Sequence, residues 1–135
     1  MPKAAVDGRL VLALSMFGLA MGILTVFLIP SPVEPFLWLA IFVVCALLIA
    51  RRAPSRPFLH GLLTGLLNSV WVTAAHLLLA GIYLSRHPSE AGMMAGSPLP
   101  PRVMMLLTGP LIGLASGIVL GLFAMGATRL IRRGA

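Results

Sequence analysis

Four long apolar runs, each bounded by proline, arginine or a polar loop, fill nearly the whole chain, and nothing else in the sequence constrains the fold as strongly. The first runs from Leu10 to Ile29 and closes on Pro30-Ser31-Pro32, and the second runs from Val33 to Ala50 and closes on Arg51-Arg52. The third extends from Phe58 to Leu84 and the fourth from Val103 to Ile131. A bilayer core is crossed by about 20 apolar helical residues. The first two runs match that length; the last two exceed it and should tilt or project past the core. Lipid offers no partner to a bare amide or carbonyl, so each run must be helical. The expected fold is all-α, an integral membrane bundle of four transmembrane helices in one domain over 1–135, with an outer loop over 85–102.

Composition supports this. Only 10% of residues are charged and 59% are hydrophobic, with a mean hydropathy of +1.05, whereas a soluble domain carries roughly 25% charged residues. Four spans with short connections use up 135 residues and leave no room for a separate soluble domain. Lys3 and Arg9 ahead of the first run resemble the start of a signal peptide, but that run is longer than the apolar core of about 7–15 residues in a cleaved signal, so an uncleaved span is expected.

The cations set the orientation. Lys3, Arg9, Arg51, Arg52, Arg56, Arg129, Arg132 and Arg133 fall on one side, eight of the ten, while Arg86 and Arg102 fall on the other. The positive side faces the cytoplasm, which predicts both termini inside and argues against a dual topology. Trp38 and Tyr83 then lie near the outer interface, where amphipathic rings collect. The formal charge of +7 does not point to nucleic acid, because the cations border apolar runs without interleaved aromatics. Anionic lipid headgroups at Arg51, Arg52, Arg56, Arg129, Arg132 and Arg133 are the expected partners. Arginine supplies nine of the ten cations, and Ala, Gly and Pro are abundant, a lean toward a GC-rich bacterial genome and hence a bacterial inner membrane.

Helices in lipid associate through small residues that admit a neighbouring backbone and through interhelical hydrogen bonds. Gly109, Gly113, Gly117 and Gly121 recur every four residues and make a glycine-zipper ridge on the fourth span, with Ser116 and Ala124 beside it. Gly18 and Gly22 offer a shorter ridge with Ser15 on the first span, and Gly61 and Gly65 on the third. The second span has no glycine and should face more lipid. Such ridges serve packing within a chain, and they also join copies of a chain or a membrane-protein partner. Pro110 removes a backbone donor and disturbs the Leu106 carbonyl, so Thr108-Gly109-Pro110 predicts a kink or a late helix start.

The third span is the least apolar. At about 100° per residue, Asn68, Ser69, His76 and Tyr83 share one face with Gly61, Gly65 and Val72, a face expected to look into the bundle. Asn68 and Trp71 fall near the bilayer midplane. Asn68 and His76 each need a partner there, expected among the fourth-span carbonyls freed near its glycines and Pro110, or at Ser116. Their functional reading is a polar path or ligand site along Asn68, Ser69, His76 and Tyr83, with His76 the one mid-span group that titrates near neutrality. His60, close to Arg56, is expected in the headgroup region.

Much chemistry is missing. Asp7, Glu34 and Glu90 lie at span ends or in a loop, with none at mid-membrane, which weighs against a proton-coupled pump. No acid pair, Ser-His-acid set or phosphate-binding glycine loop occurs, so no catalytic residue, cofactor or enzyme activity is expected. Cys45 is alone and reads as a small apolar side chain. Met93, Met94, Met104 and Met105 near His87 are soft ligands, but no repeated Met spacing supports a metal site.

The stretch from Phe58 to Met125 carries Gly61-Leu62-Leu63-Thr64-Gly65-Leu66-Leu67-Asn68, His76, Tyr83, His87-Pro88, Met104-Met105 and Gly109-Pro110-Leu111-Ile112-Gly113. In these it resembles small uncharacterised four-span bacterial inner-membrane proteins, which bring no activity with them. Two functions stay open: a non-enzymatic accessory or scaffold component packed through its glycine ridges, or a small transporter or channel with a polar path along span three.

Overall fold

Local signals account for where the helices begin. Asp7 Oδ1 accepts the Leu10 amide at 3.1 Å and starts α1, Gly8–Phe27. Prolines stand in the first turns of α2 (Glu34–Arg52), α3 (Pro57–Leu78), α5 (Pro88–Ala95) and α6 (Pro101–Gly134), positions where the missing N–H would have had no intrahelical partner. A short α4, Ala80–Arg86, follows α3. The computed structural model describes residues 5–135, and among them there is no strand. Lys3, used in the charge count above, lies outside the described residues. Four helices, α1, α2, α3 and α6, are long and apolar enough to cross a membrane.

Three expectations need correction. The third run is not one helix to Leu84: it stops at Leu79 (φ −113°, ψ 28°), whose N–H closes on Ala75 O at 3.0 Å before α4 resumes. No proline marks this break; Leu77-Leu78-Leu79-Ala80 is uniformly apolar and hides it. The fourth helix starts neither late nor at Pro110 but runs unbroken from Pro101 to Gly134. Near its proline, Thr108 Oγ1 turns back to Met104 O at 2.8 Å. Within the expected outer loop, Pro88–Ala95 forms an eight-residue helix.

Helix α3 is the centre of the arrangement, packed against α6 on one side and α1 on the other, while α2 lies mainly on α6. The glycines permit the close approach. A Cβ built on Gly61 would lie 2.5 Å from Gly121 Cα, one on Gly117 2.7 Å from Leu62 O, and one on Gly121 2.8 Å from Phe58 O. Gly65 faces Gly117 directly, and Gly109 and Gly113 receive the side chains of Thr73 and Ser69. On the opposite side of α3, Gly18 would meet Asn68 Cα at 2.6 Å and Gly22 would meet Val72 Cα at 3.1 Å.

Two apolar clusters hold the ends. At the end where α1 begins and α6 finishes, Leu10 and Leu14 of α1, Cys45, Ala46 and Ile49 of α2, and Leu120 and Ala124 of α6 are buried together. At the far end, Val26, Ala80, Tyr83 and Met105 join α1, α4 and α6. Every buried residue of α2 lies in its second half, Cys45, Ala46, Ile49 and Ala50. Its first half therefore stands away from the bundle, and that separation positions the site.

Candidate functional site

Where the first half of α2 leaves α3 and α6, a cavity of ≈ 320 Å³ remains. All four polar residues singled out on the third run, Asn68, Ser69, His76 and Tyr83, line it, and so does Thr73. Gly109, Ile112 and Ser116 of α6 form the opposite wall. The third wall was not foreseen: Glu34, Trp38 and Phe42 of α2 close the cavity. Their spacing of four residues puts them on one helix face, a signal present in the sequence but masked by the aliphatic residues between them.

The polar groups of α3 are held mainly from α1, not from α6 as expected. Asn68 Oδ1 accepts the Gly18 amide at 3.1 Å, Trp71 Nε1 donates to Ser15 Oγ at 3.1 Å, and His76 Nε2 lies 2.9 Å from Thr25 Oγ1. Gly18 and Gly22 bring the α1 backbone within reach of this edge of the stripe, whereas the α6 glycines face the Ser69–Thr73 edge. Thr25 Oγ1 gives its proton to Met21 O at 2.7 Å, so its lone pair receives the proton of His76 Nε2. In that arrangement Nε2 carries the proton, and Nδ1 has no hydrogen-bond partner among the described residues. Asn68 Nδ2 is buried and has no partner either. Ser69 Oγ donates to Leu66 O at 2.7 Å and keeps its lone pairs free.

Tyr83 is not a lipid-facing belt residue. It is buried, stacked on His76 with ring centroids 4.0 Å apart and on His87 at 4.2 Å. His87 Nδ1 donates to Tyr83 O at 2.8 Å. His60 likewise departs from expectation: it is 1% exposed, its Nε2 accepting the Asp7 amide at 3.0 Å and its Nδ1 donating to Arg56 O at 2.7 Å. An imidazole able to take one amide and serve one carbonyl ties the start of α1 to the start of α3, so it is drawn into the protein.

Glu34 is the one charged side chain on the cavity wall. Trp38 Nε1 donates to its Oε1 at 3.3 Å, and Glu34 stands in the first turn of α2. Next to the cavity, outside the spans, Ser31 Oγ donates to Glu90 Oε1 at 2.7 Å. Partial burial opposes ionisation of Glu90, but bonds from Ser31, its own amide and Ser89, with His87 nearby, hold its carboxyl below the usual range. Arg86 and Arg102 reach Phe27 O at 2.7 Å and Leu77 O at 3.3 Å, satisfying carbonyls at the ends of α1 and α3. Among the described residues, no three His, Cys, Asp or Glu side chains come together as a metal site would require.

Fold and cavity together define a small polytopic membrane protein with a recess between its helices that is largely apolar and carries a few polar side chains. No family model, curated protein or solved structure matches the chain.

Proposed function

We propose that this protein is a small-molecule binding component of the transporter class in a bacterial inner membrane, with both termini in the cytoplasm and the cavity in the outer half. One observation carries the reading: a cavity of ≈ 320 Å³ at membrane depth is lined by Glu34, Asn68, Ser69, Thr73 and His76, polar side chains whose bonding capacity the chain does not fill, Glu34 accepting one long bond and Ser69 Oγ keeping its lone pairs. Such groups are costly to leave bare, and a polar, roomy site is where water or a ligand satisfies them. The orientation is supported by the arginine bias and the bacterial setting by composition.

The alternative is an accessory or scaffold component whose glycine ridges pack with the chain itself or with a partner. Gly61, Gly65, Gly117 and Gly121 are already engaged between α3 and α6 of a single chain, and the ridge is not free for a partner. Cysteine placed at Ser69, Val72 or His76 in a Cys45→Ala background separates the two. Reaction of all three with a membrane-impermeant thiol reagent applied from outside is expected; complete protection of all three supports the scaffold and ends the transporter reading.

A further inference from the structure

The cavity wall carries more than polarity, and its charge and aromatic content restrict the occupant. We infer that the cavity takes a monovalent amphipathic ammonium, a quaternary or protonated amine on a compact apolar body, with its positive head at Glu34. This rests on the reading of the cavity as a ligand site.

No lysine or arginine lines the cavity to balance Glu34. Its carboxylate accepts one long bond, from Trp38 at 3.3 Å, and meets no other side-chain donor among the described residues. A carboxylate that meets no cation of its own chain is stabilised by one that a ligand brings. An anion would be repelled, and a neutral solute would desolvate the carboxylate without compensation. A small divalent metal prefers several oxygen ligands with charge to match, and here one acid stands alone.

Aromatic rings argue for an organic cation over sodium or potassium. Trp38 and Phe42 follow Glu34 at successive turns of the same α2 face, whereas the faces of the Tyr83 ring are taken up by His76 and His87. Ring quadrupoles attract weakly hydrated ammonium groups. Val72 and Ile112 supply apolar surface for the body of the ligand. Its volume is at the lower end of the range for small-molecule sites. The hydroxyl of Tyr83 and the free lone pairs of Ser69 would accept N–H bonds from a protonated amine, whereas a quaternary head needs none.

The test compares two probes of the same shape that differ in charge, benzyltrimethylammonium and neopentylbenzene, bound to the full chain in maltoside micelles and followed by ligand-observed NMR. The cation should bind on the order of tenfold more tightly than the hydrocarbon, and Glu34→Gln should bring the two close to parity while leaving the hydrocarbon's affinity unchanged. Equal affinities in the native chain, or a cation preference that survives Glu34→Gln, would overturn the assignment. Binding of neither probe also overturns it. The cysteine labelling above then shows separately whether the cavity itself is real. Adding phosphatidylcholine to the micelles locates the source of the ammonium: competition with benzyltrimethylammonium assigns it to a lipid headgroup, and unchanged affinity to a soluble amine. Glu34→Asp, which shortens the side chain but keeps the charge, should retain most of the preference and guards against a loss due to misfolding.

Discussion

His76 Nε2 lies 2.9 Å from Thr25 Oγ1, and the threonine has already given its own proton to Met21 O, 2.7 Å away. The pair joins α3 to α1 and ties Nε2 of the imidazole to α1. Thr25→Val removes the acceptor and leaves Nε2–H bare. The expected loss is about 0.6–1.7 kcal/mol, the range for interhelical side-chain bonds in membrane proteins. A double-mutant cycle with His76→Ala, read by reversible unfolding in mixed micelles, should show coupling of that size. Nitrogen-15 spectra of the native chain should show His76 protonated at Nε2.

The glycine contacts make a graded prediction. Gly61→Ala would put a methyl 2.5 Å from Gly121 Cα, against backbone that cannot swing aside, whereas Gly126 has nothing within 4 Å of the same position. Gly61→Ala should destabilise by about 1–3 kcal/mol as an overpacking change. Gly126→Ala should be neutral or stabilise by roughly 0.5–1 kcal/mol through helix propensity. Thermal unfolding in one detergent measures both, and equal effects would remove the α3–α6 contact from the account.

Glu90 gives a pH dependence with a definite sign. Its carboxyl is held below the ordinary value of 4.5 in the folded chain. Stability from the ionised form is therefore fully present above that value and is lost as pH falls through the lower folded one. Ser31→Ala removes the 2.7 Å bond and should move the Glu90 titration upward, toward 4.5. Carbon-13 titration of the Glu90 carboxyl reads this directly; an unchanged midpoint would mean that the Ser31 contact is not maintained.

Some of this architecture was legible in the sequence, and the reasons are physical. Apolar runs of span length bounded by prolines and arginines leave helix as the one outcome in lipid, so α1, α2, α3 and α6 were visible. The α3 stripe was visible because periodicity puts Asn68, Ser69 and His76 on one side whatever surrounds them. Their partners were not. The Gly18 amide is a backbone donor that no side chain announces, and it is close to Asn68 because two glycines let α1 approach. Glu34 was dismissed by its place near a span end. Position along the chain does not reveal that the first half of α2 stands off and turns Glu34, Trp38 and Phe42 toward His76 and Tyr83. The interruption at Leu79 was hidden for a different reason, since apolar residues on both sides of a break read as one run.

The claim on which the rest depends is that the recess beside Asn68 and His76 is wet. Water-edited solid-state NMR of the protein in lipid bilayers measures this without substitution, by the rate at which polarisation passes from water to individual nitrogens. His76 Nδ1 should receive it far faster than the Gly65 amide closed between α3 and α6, and at a rate approaching that of the exposed Ser55 amide. Build-up at His76 Nδ1 as slow as at Gly65 would contradict a wet recess.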